Sequence, residues 1–217
     1  MEIEAKFAIP TATLFQKLQT YTRLGVFSLT NAKVKRVHDT YMDTKQRHLC
    51  KAGYAFRERK QSDGWLLTLK SLGGIDGAIR RREELEILLK TPMLPAAWSP
   101  CPMRDRVLEI IQDNTLMPLL ALEQTRVTRI ITLQNREVAE LSLDQVHMRR
   151  KENKETFFTL EAELLSSGSE EDLAKIVELL QGEWGLAPEQ HSKLEHAQIF
   201  FGVQMEPISP PPLQECA

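Results

Sequence analysis

The chain has 217 residues, is 42% hydrophobic and 27% charged, and sets 28 Lys and Arg against 30 Asp and Glu, the make-up of a globular protein with a real core. A formal net charge of −2 gives no global reason to expect nucleic acid or an acidic membrane as a partner, so a polyanion site has to come from local arrangement. Cys50, Cys101 and Cys216 form neither a CxxC pair nor a Cys/His ligand pattern, which argues against a zinc site and for free thiols in a reducing compartment. The N-terminus is charged from Glu2 onward and no apolar run reaches spanning length, so the expectation is a cytoplasmic protein without a signal peptide or membrane segment.

In chain order, period-two alternation predicts a first strand over 2–8. A helix over 11–22 follows Pro10, with Leu14, Phe15, Leu18 and Tyr21 on one face. Strands are then expected over 36–43, 54–60 and 64–71, the last two joined by a Ser62-Asp63-Gly64 turn, and another over 81–89. A second helix is predicted near 103–113. Strands over 125–133 and 137–144 meet at Gln134-Asn135-Arg136, and 157–164 completes the set. A helix over 169–181 has Ser169 as N-cap, with Glu170, Glu171 and Asp172 at the positive end of its dipole. A last helix is expected near 191–201. The proline-rich stretch after it, 204–217, reads as a tail or linker.

The strands carry charge where one face of a sheet would ordinarily be a mixed polar surface. Side chains at i and i+2 share a face, so Glu2, Glu4 and Lys6 project together, as do Arg57 and Arg59, then Arg82, Glu84 and Glu86. Glu140, Ser142 and Asp144 repeat the pattern, as do Thr159, Glu161 and Glu163. Two carboxylates on one strand face lie about 6.5–7 Å apart and repel, which calls for cations between them. One reading is a sheet with its charged face in water. The other is an α+β fold whose strands, about eight, close into an antiparallel barrel with a charged interior and helices outside. In that arrangement Glu2, Glu4, Glu161 and Glu163 could hold hard divalent cations. Lys6, Arg57, Arg59, Lys70, Arg82 and Arg126 could neutralise a polyphosphate.

Glu2-x-Glu4-x-Lys6 resembles the N-terminal ExExK signature of the CYTH, or triphosphate tunnel metalloenzyme, superfamily. The resemblance continues through Tyr41-Met42-Asp43-Thr44, Ala55-Phe56-Arg57-Glu58-Arg59, Thr68-Leu69-Lys70 and Arg82-x-Glu84-x-Glu86. Thr125-Arg126, Glu140-Leu-Ser-Leu-Asp144, Glu161-Ala-Glu163 and Ser192-Lys193 extend it, in family order, over 1–203, which is expected to be one tunnel domain. It implies an eight-stranded antiparallel tunnel holding Mg²⁺ or Mn²⁺ in a two-metal site. Glu2, Glu4, Glu161 and Glu163 would be metal ligands; Lys6, Arg57, Arg59, Lys70, Arg82, Arg126 and Lys193 would bind phosphate. The catalytic set would comprise Glu2, Glu4, Lys6, Arg57, Arg59, Lys70 and Arg82, with Glu84, Glu86, Glu140 and Asp144 lining the tunnel in support. Arg80 and Arg129 sit close to these positions without an assigned role.

The resemblance is greatest to bacterial inorganic triphosphatases, which implies hydrolysis of tripolyphosphate to pyrophosphate and phosphate. A helical CHAD-like domain beyond the tail, and a monomer or homodimer, fit the same comparison. Class IV adenylate cyclase, thiamine triphosphatase and a non-catalytic polyphosphate-binding module stay as alternatives. All four metal-type carboxylates are present, which favours catalysis. The scattered His38, His48, His147, His191 and His196 lack ligand spacing, and Trp65, Trp98 and Trp184 read as packing residues.

Overall fold

The computed structural model describes residues 1–150 and 153–202. The proline-rich tail and the centre of the basic 147–154 segment lie outside the described residues. The strands are β1 (Glu2–Ile9), β2 (Arg23–Leu24), β3 (Phe27–Leu29), β4 (Lys33–Asp43), β5 (Tyr54–Gln61), β6 (Gly64–Ser71) and β7 (Ile75–Asp76). They continue with β8 (Ile79–Arg82), β9 (Glu84–Leu89), β10 (Met117–Leu133), β11 (Arg136–Arg150), β12 (Asn153–Leu164) and β13 (Ala187–Pro188). The helices are α1 (Ala12–Thr20), α2 (His48–Lys51), α3 (Pro102–Ile111), α4 (Glu170–Gly182) and α5 (Lys193–Phe201). The protein is therefore α+β with antiparallel pairing, and no helix among the described residues is long and apolar enough to cross a membrane.

The chain divides into two compact units. The first comprises Met1–Val37, Ile75–Arg81 and Leu122–Ser192; the second comprises His38–Gly74, Arg82–Ala121 and Lys193–Ala217. In the first, the strand order is β7-β8-β1-β12-β11-β10, with β13 also on β1 and the β2–β3 pair on β10. In the second, β4, β5, β6 and β9 form a meander. Within neither unit does the ladder close on itself among the described residues.

Local sequence accounts for most of these elements. The β10–β11 hairpin turns at Gln134 and Asn135, both with positive φ (51° and 67°), the backbone that a two-residue turn between right-twisted strands requires. The β5–β6 hairpin ends on Gly64, where a Cβ would stand 2.3 Å from the Leu89 carbonyl oxygen; only glycine lets β9 approach so closely. Helix α1 starts where the Thr11 hydroxyl accepts a hydrogen bond from the Leu14 N–H (3.1 Å). Helix α4 starts at a reciprocal capping box between Ser169 and Asp172, a device worth about 1 kcal/mol.

In each unit the strands bury one apolar face. In the first unit Ala5, Phe7, Leu141, Leu143, Leu160 and Ala162 pack against Phe15 and Leu18 of α1 and Leu173, Ile176 and Leu180 of α4. In the second, Phe56, Leu67 and Leu69 pack with Trp98 and with Met103, Val107 and Ile111 of α3. Burying each of these large side chains contributes about 1.5–3 kcal/mol.

The strand predicted over 81–89 is two strands. Arg82 ends β8, which lies beside β1, whereas Glu84 begins β9, which pairs with β6. Glu83 forms the joint: its N–H donates to the Ser71 hydroxyl and its carbonyl accepts from the Ser71 N–H, both at 3.0 Å. The last three long strands extend well past their predicted ends. Pairing of β11 with β12 runs from Ala139↔Leu164 to Arg150↔Asn153, so partner strands hold segments that show no alternation of their own.

Candidate active site

On the first unit's other sheet face, register brings the predicted charged residues into rows. Glu4 lies opposite Glu163, which lies opposite Glu140; Lys6 lies opposite Glu161, which lies opposite Ser142; Thr159 lies opposite Asp144, which lies opposite Arg126. Glu2, Glu4 and Lys6 are all under 9% exposed and Asp144 is wholly buried, so this face is not a solvated surface. The Arg126 guanidinium donates to both oxygens of Asp144 (2.7 and 2.6 Å) and to Glu161 Oε2 (3.0 Å). Lys6 Nζ stands 3.5 Å from Glu161 Oε1 and donates to the His191 carbonyl (3.2 Å). Glu161 is thus flanked by two cations. Glu163 and the partly buried Glu140 mark the more open end of the rows.

The second unit carries a charged face of its own. Asp39 lies opposite Arg59, Tyr41 opposite Arg57, Arg57 opposite Thr68, and Thr68 opposite Glu86; Lys70 lies opposite Glu84. Arg59 donates through Nε and Nη2 to the two oxygens of Asp39 (2.6 and 2.9 Å), and Arg57 Nη1 is 3.8 Å from the same carboxylate. Arg57 also donates to the Thr68 hydroxyl (3.1 Å), which in turn donates to Glu86 (2.8 Å). Lys70 pairs with Glu84 at 3.3 Å. Burial acts to raise the Asp39 carboxyl, but Arg57, the hydrogen bonds and charge of Arg59, and the field of Lys193 outweigh it and hold it at about 2. Burial likewise pushes the Tyr41 hydroxyl up.

Lys193, the first residue of α5, is buried, and so are Arg80 and Arg82, which share a face of β8 while Arg81 between them is exposed. Arg80 donates to the Glu189 carbonyl, a structural contact. Arg129 is structural too: it faces away from Arg126 and donates to the carbonyls of Gln19 (2.5 Å), Tyr21 (2.8 Å) and Thr30 (3.2 Å), closing the end of α1. Glu86 and Glu163 are exposed. Trp98 stacks on Phe56 in the core, and Trp184 meets Tyr21 edge-on at 4.1 Å.

Asp39, Arg80 and Glu189 are buried charged groups that strand patterning did not single out. Parity held a signal for Asp39, which precedes Tyr41 and Asp43 on one strand face. Asp43 itself caps α2: its carboxylate accepts from the N–H groups of Thr44 (2.7 Å), Leu49 (2.9 Å) and Cys50 (3.1 Å).

The sequence matches the CYTH domain over residues 1–198. The chain belongs to the CYTH family. No curated protein matches it. Among solved structures it is similar to HpAC1 of Hippeastrum, which carries an adenylyl cyclase name and is described as having a dominant triphosphatase activity (TM-score 0.69, 20% identity, 97% of this chain and 100% of that chain). It is also similar to a Bacillus halodurans protein named for adenylate cyclase (TM-score 0.61, 18% identity, 90% of this chain and 96% of that one). At these identities the likeness concerns the CYTH fold.

The donor set of this CYTH chain fits a hard divalent cation. Glu4, Glu163 and Glu140 form a row of three carboxylates across adjacent strands, beside Glu2 and Glu161 on the same face. Like charges directly opposite one another are destabilising, and oxygen-only ligands suit Mg²⁺ or Mn²⁺. Among the described residues no three His, Cys, Asp or Glu side chains are gathered into a finished cage; Glu161 is turned to Lys6 and Arg126 instead.

Proposed function

We propose that the protein is a metal-dependent inorganic triphosphatase, cleaving tripolyphosphate to pyrophosphate and phosphate within a domain spanning 1–203 that closes as an eight-stranded tunnel. The observation that carries this reading is the burial of charge on sheet faces. Glu4, Lys6, Asp39, Arg59, Arg82 and Asp144 are each under 9% exposed. A sheet face in water would leave them open, and a purely structural one would be as stable with apolar residues. The triphosphatase activity described for the structurally similar HpAC1 fits the same reading.

Glu2, Glu4, Glu161 and Glu163 would hold the cation, which when bound offsets phosphate charge and acidifies a coordinated water. Lys6 and Arg126 fix the orientation of Glu161 through the contacts described above and add their positive charge to the phosphate site. Arg57, Arg59, Lys70, Arg82 and Lys193 stabilise negative charge on the transferred and leaving phosphoryl oxygens; catalysis of phosphoryl transfer is chiefly positioning and charge stabilisation of this kind. Glu84, Glu86, Glu140 and Asp144 hold the basic groups apart and aligned.

Phosphate release from tripolyphosphate, ATP and thiamine triphosphate, each with Mg²⁺, Mn²⁺ or EDTA, tests this. Metal-dependent turnover of tripolyphosphate with little cleavage of ATP is expected. Preference for ATP or thiamine triphosphate would move the assignment to a sister activity, and tight binding without turnover would make the protein a polyphosphate-binding module.

A further inference from the structure

We infer that Asp39 is a positioning residue for phosphate binding: it locks the orientation of Arg59 and sets the net charge of the surrounding basic cluster. The inference rests on the reading of Arg57 and Arg59 as phosphate binders. Asp39 has no exposed surface, and its contact with Arg59 uses Nε and Nη2 (2.6 and 2.9 Å), leaving the Nη1 end of the fork outside the pair. Arg57 Nη1 shares the same carboxylate at 3.8 Å, and the Lys193 charge acts on it as well. Lys70, one row away, has Glu84 beside it at 3.3 Å.

The Asp39 carboxylate therefore faces two guanidiniums and also feels the charge of Lys193. Full pairing would cancel the attraction for a polyanion, while no pairing would leave long side chains loose and repelling one another. A single buried carboxylate held bidentately gives a guanidinium of fixed direction. Preorganised donors of this kind cost little reorganisation when charge develops on a bound phosphate.

Asp39→Asn keeps one acceptor oxygen and the shape but removes the charge; Asp39→Ser removes both charge and reach. Three readouts separate the roles: calorimetric binding of tripolyphosphate in EDTA, kcat and KM for the metal-supported reaction, and the melting temperature. The cluster gains one positive charge in Asp39→Asn, so tripolyphosphate binding should tighten about tenfold. Loss of a fixed Arg59 should lower kcat by about tenfold or more. Asp39→Ser should show the larger fall in kcat.

Unchanged binding and kcat with only a lower melting temperature would overturn the inference, as would failure of both variants to fold, since Asp39 would then be structural. If the wild-type protein turns over no triphosphate yet binds tripolyphosphate more tightly after Asp39→Asn, the triphosphatase reading falls and the role of Asp39 stands. If the wild-type protein is active and both variants keep its kcat and KM, only the inference about Asp39 falls.

Discussion

Arg126→Ala separates the stabilising and functional roles of the buried charges. Arg126 makes three short contacts to two carboxylates, Asp144 at 2.7 and 2.6 Å and Glu161 at 3.0 Å. Its side chain is 13% exposed and that of Asp144 is fully buried. Removing one partner of a buried pair costs about 3–5 kcal/mol, because the other charge stays behind in a poorly solvated place. Glu161 keeps Lys6 at 3.5 Å, so the cost belongs mainly to Asp144 and should fall near about 3 kcal/mol. For a protein of this size that lowers the melting temperature by about 6–12 °C. Denaturant titration and calorimetry measure it. The double variant Arg126→Ala, Asp144→Asn removes the stranded charge and should recover about 2 kcal/mol of the loss. Recovery of stability should not restore tripolyphosphate binding, because the cation is still absent. An Arg126→Ala protein as stable as the wild type would refute the claim that Asp144 depends on this pair. A double variant with normal tripolyphosphate affinity would remove Arg126 from the phosphate site.

Glu4→Gln relieves repulsion in the Glu4, Glu163, Glu140 row and should leave stability unchanged or raise it by up to about 1 kcal/mol, while metal-dependent turnover is lost; a folded variant with normal turnover would overturn the assignment of Glu4 to the metal. The Asp39 carboxyl is depressed from 3.8 to about 2 in the folded protein, so its contribution is fully present above about pH 4 and is lost as pH falls through that window toward 2. Denaturant titrations at pH 5 and pH 2.5 should therefore show an acid loss of up to about 2 kcal/mol that is smaller in Asp39→Asn; equal losses in both proteins would show that Asp39 is not the titrating group.

Much of this architecture was legible because charge and apolarity alternate strictly in the strands that carry the site. Glu2, Glu4 and Lys6 against Ile3, Ala5 and Phe7 fix both the strand and which residues share a face. Glu161 and Glu163 share theirs in the same way, and register then sets Glu4 against Glu163 and Lys6 against Glu161. Tertiary pairing was not legible where it acts on residues without a period. Nothing in Met117-Pro-Leu-Leu-Ala-Leu marks the start of β10, and Arg23–Leu24 and Phe27–Leu29 are too short to show alternation. The break at Glu83 was hidden because Arg82, Glu84 and Glu86 keep the parity of one continuous strand, although Arg82 and Glu84 belong to different ladders.

The same limit explains the residues missed at the site. Charge patterning finds acids and bases that recur along a strand, and it passes over a single acid whose partners lie on other strands. Asp39 stands between His38 and Thr40 and shares a face with Val37, Tyr41 and Asp43, which hints at burial but gives no partner for a charge there. The reason appears only across the ladder, where it meets Arg59. Arg129 shows the converse: three residues after Arg126 it is on the opposite face of the strand, and it serves the carbonyls at the end of α1. Two arginines of identical chemistry on one strand are thus divided between a charged face and a helix terminus by parity alone. That division is why the Arg126 variants test the site while an Arg129 variant would test only the fold.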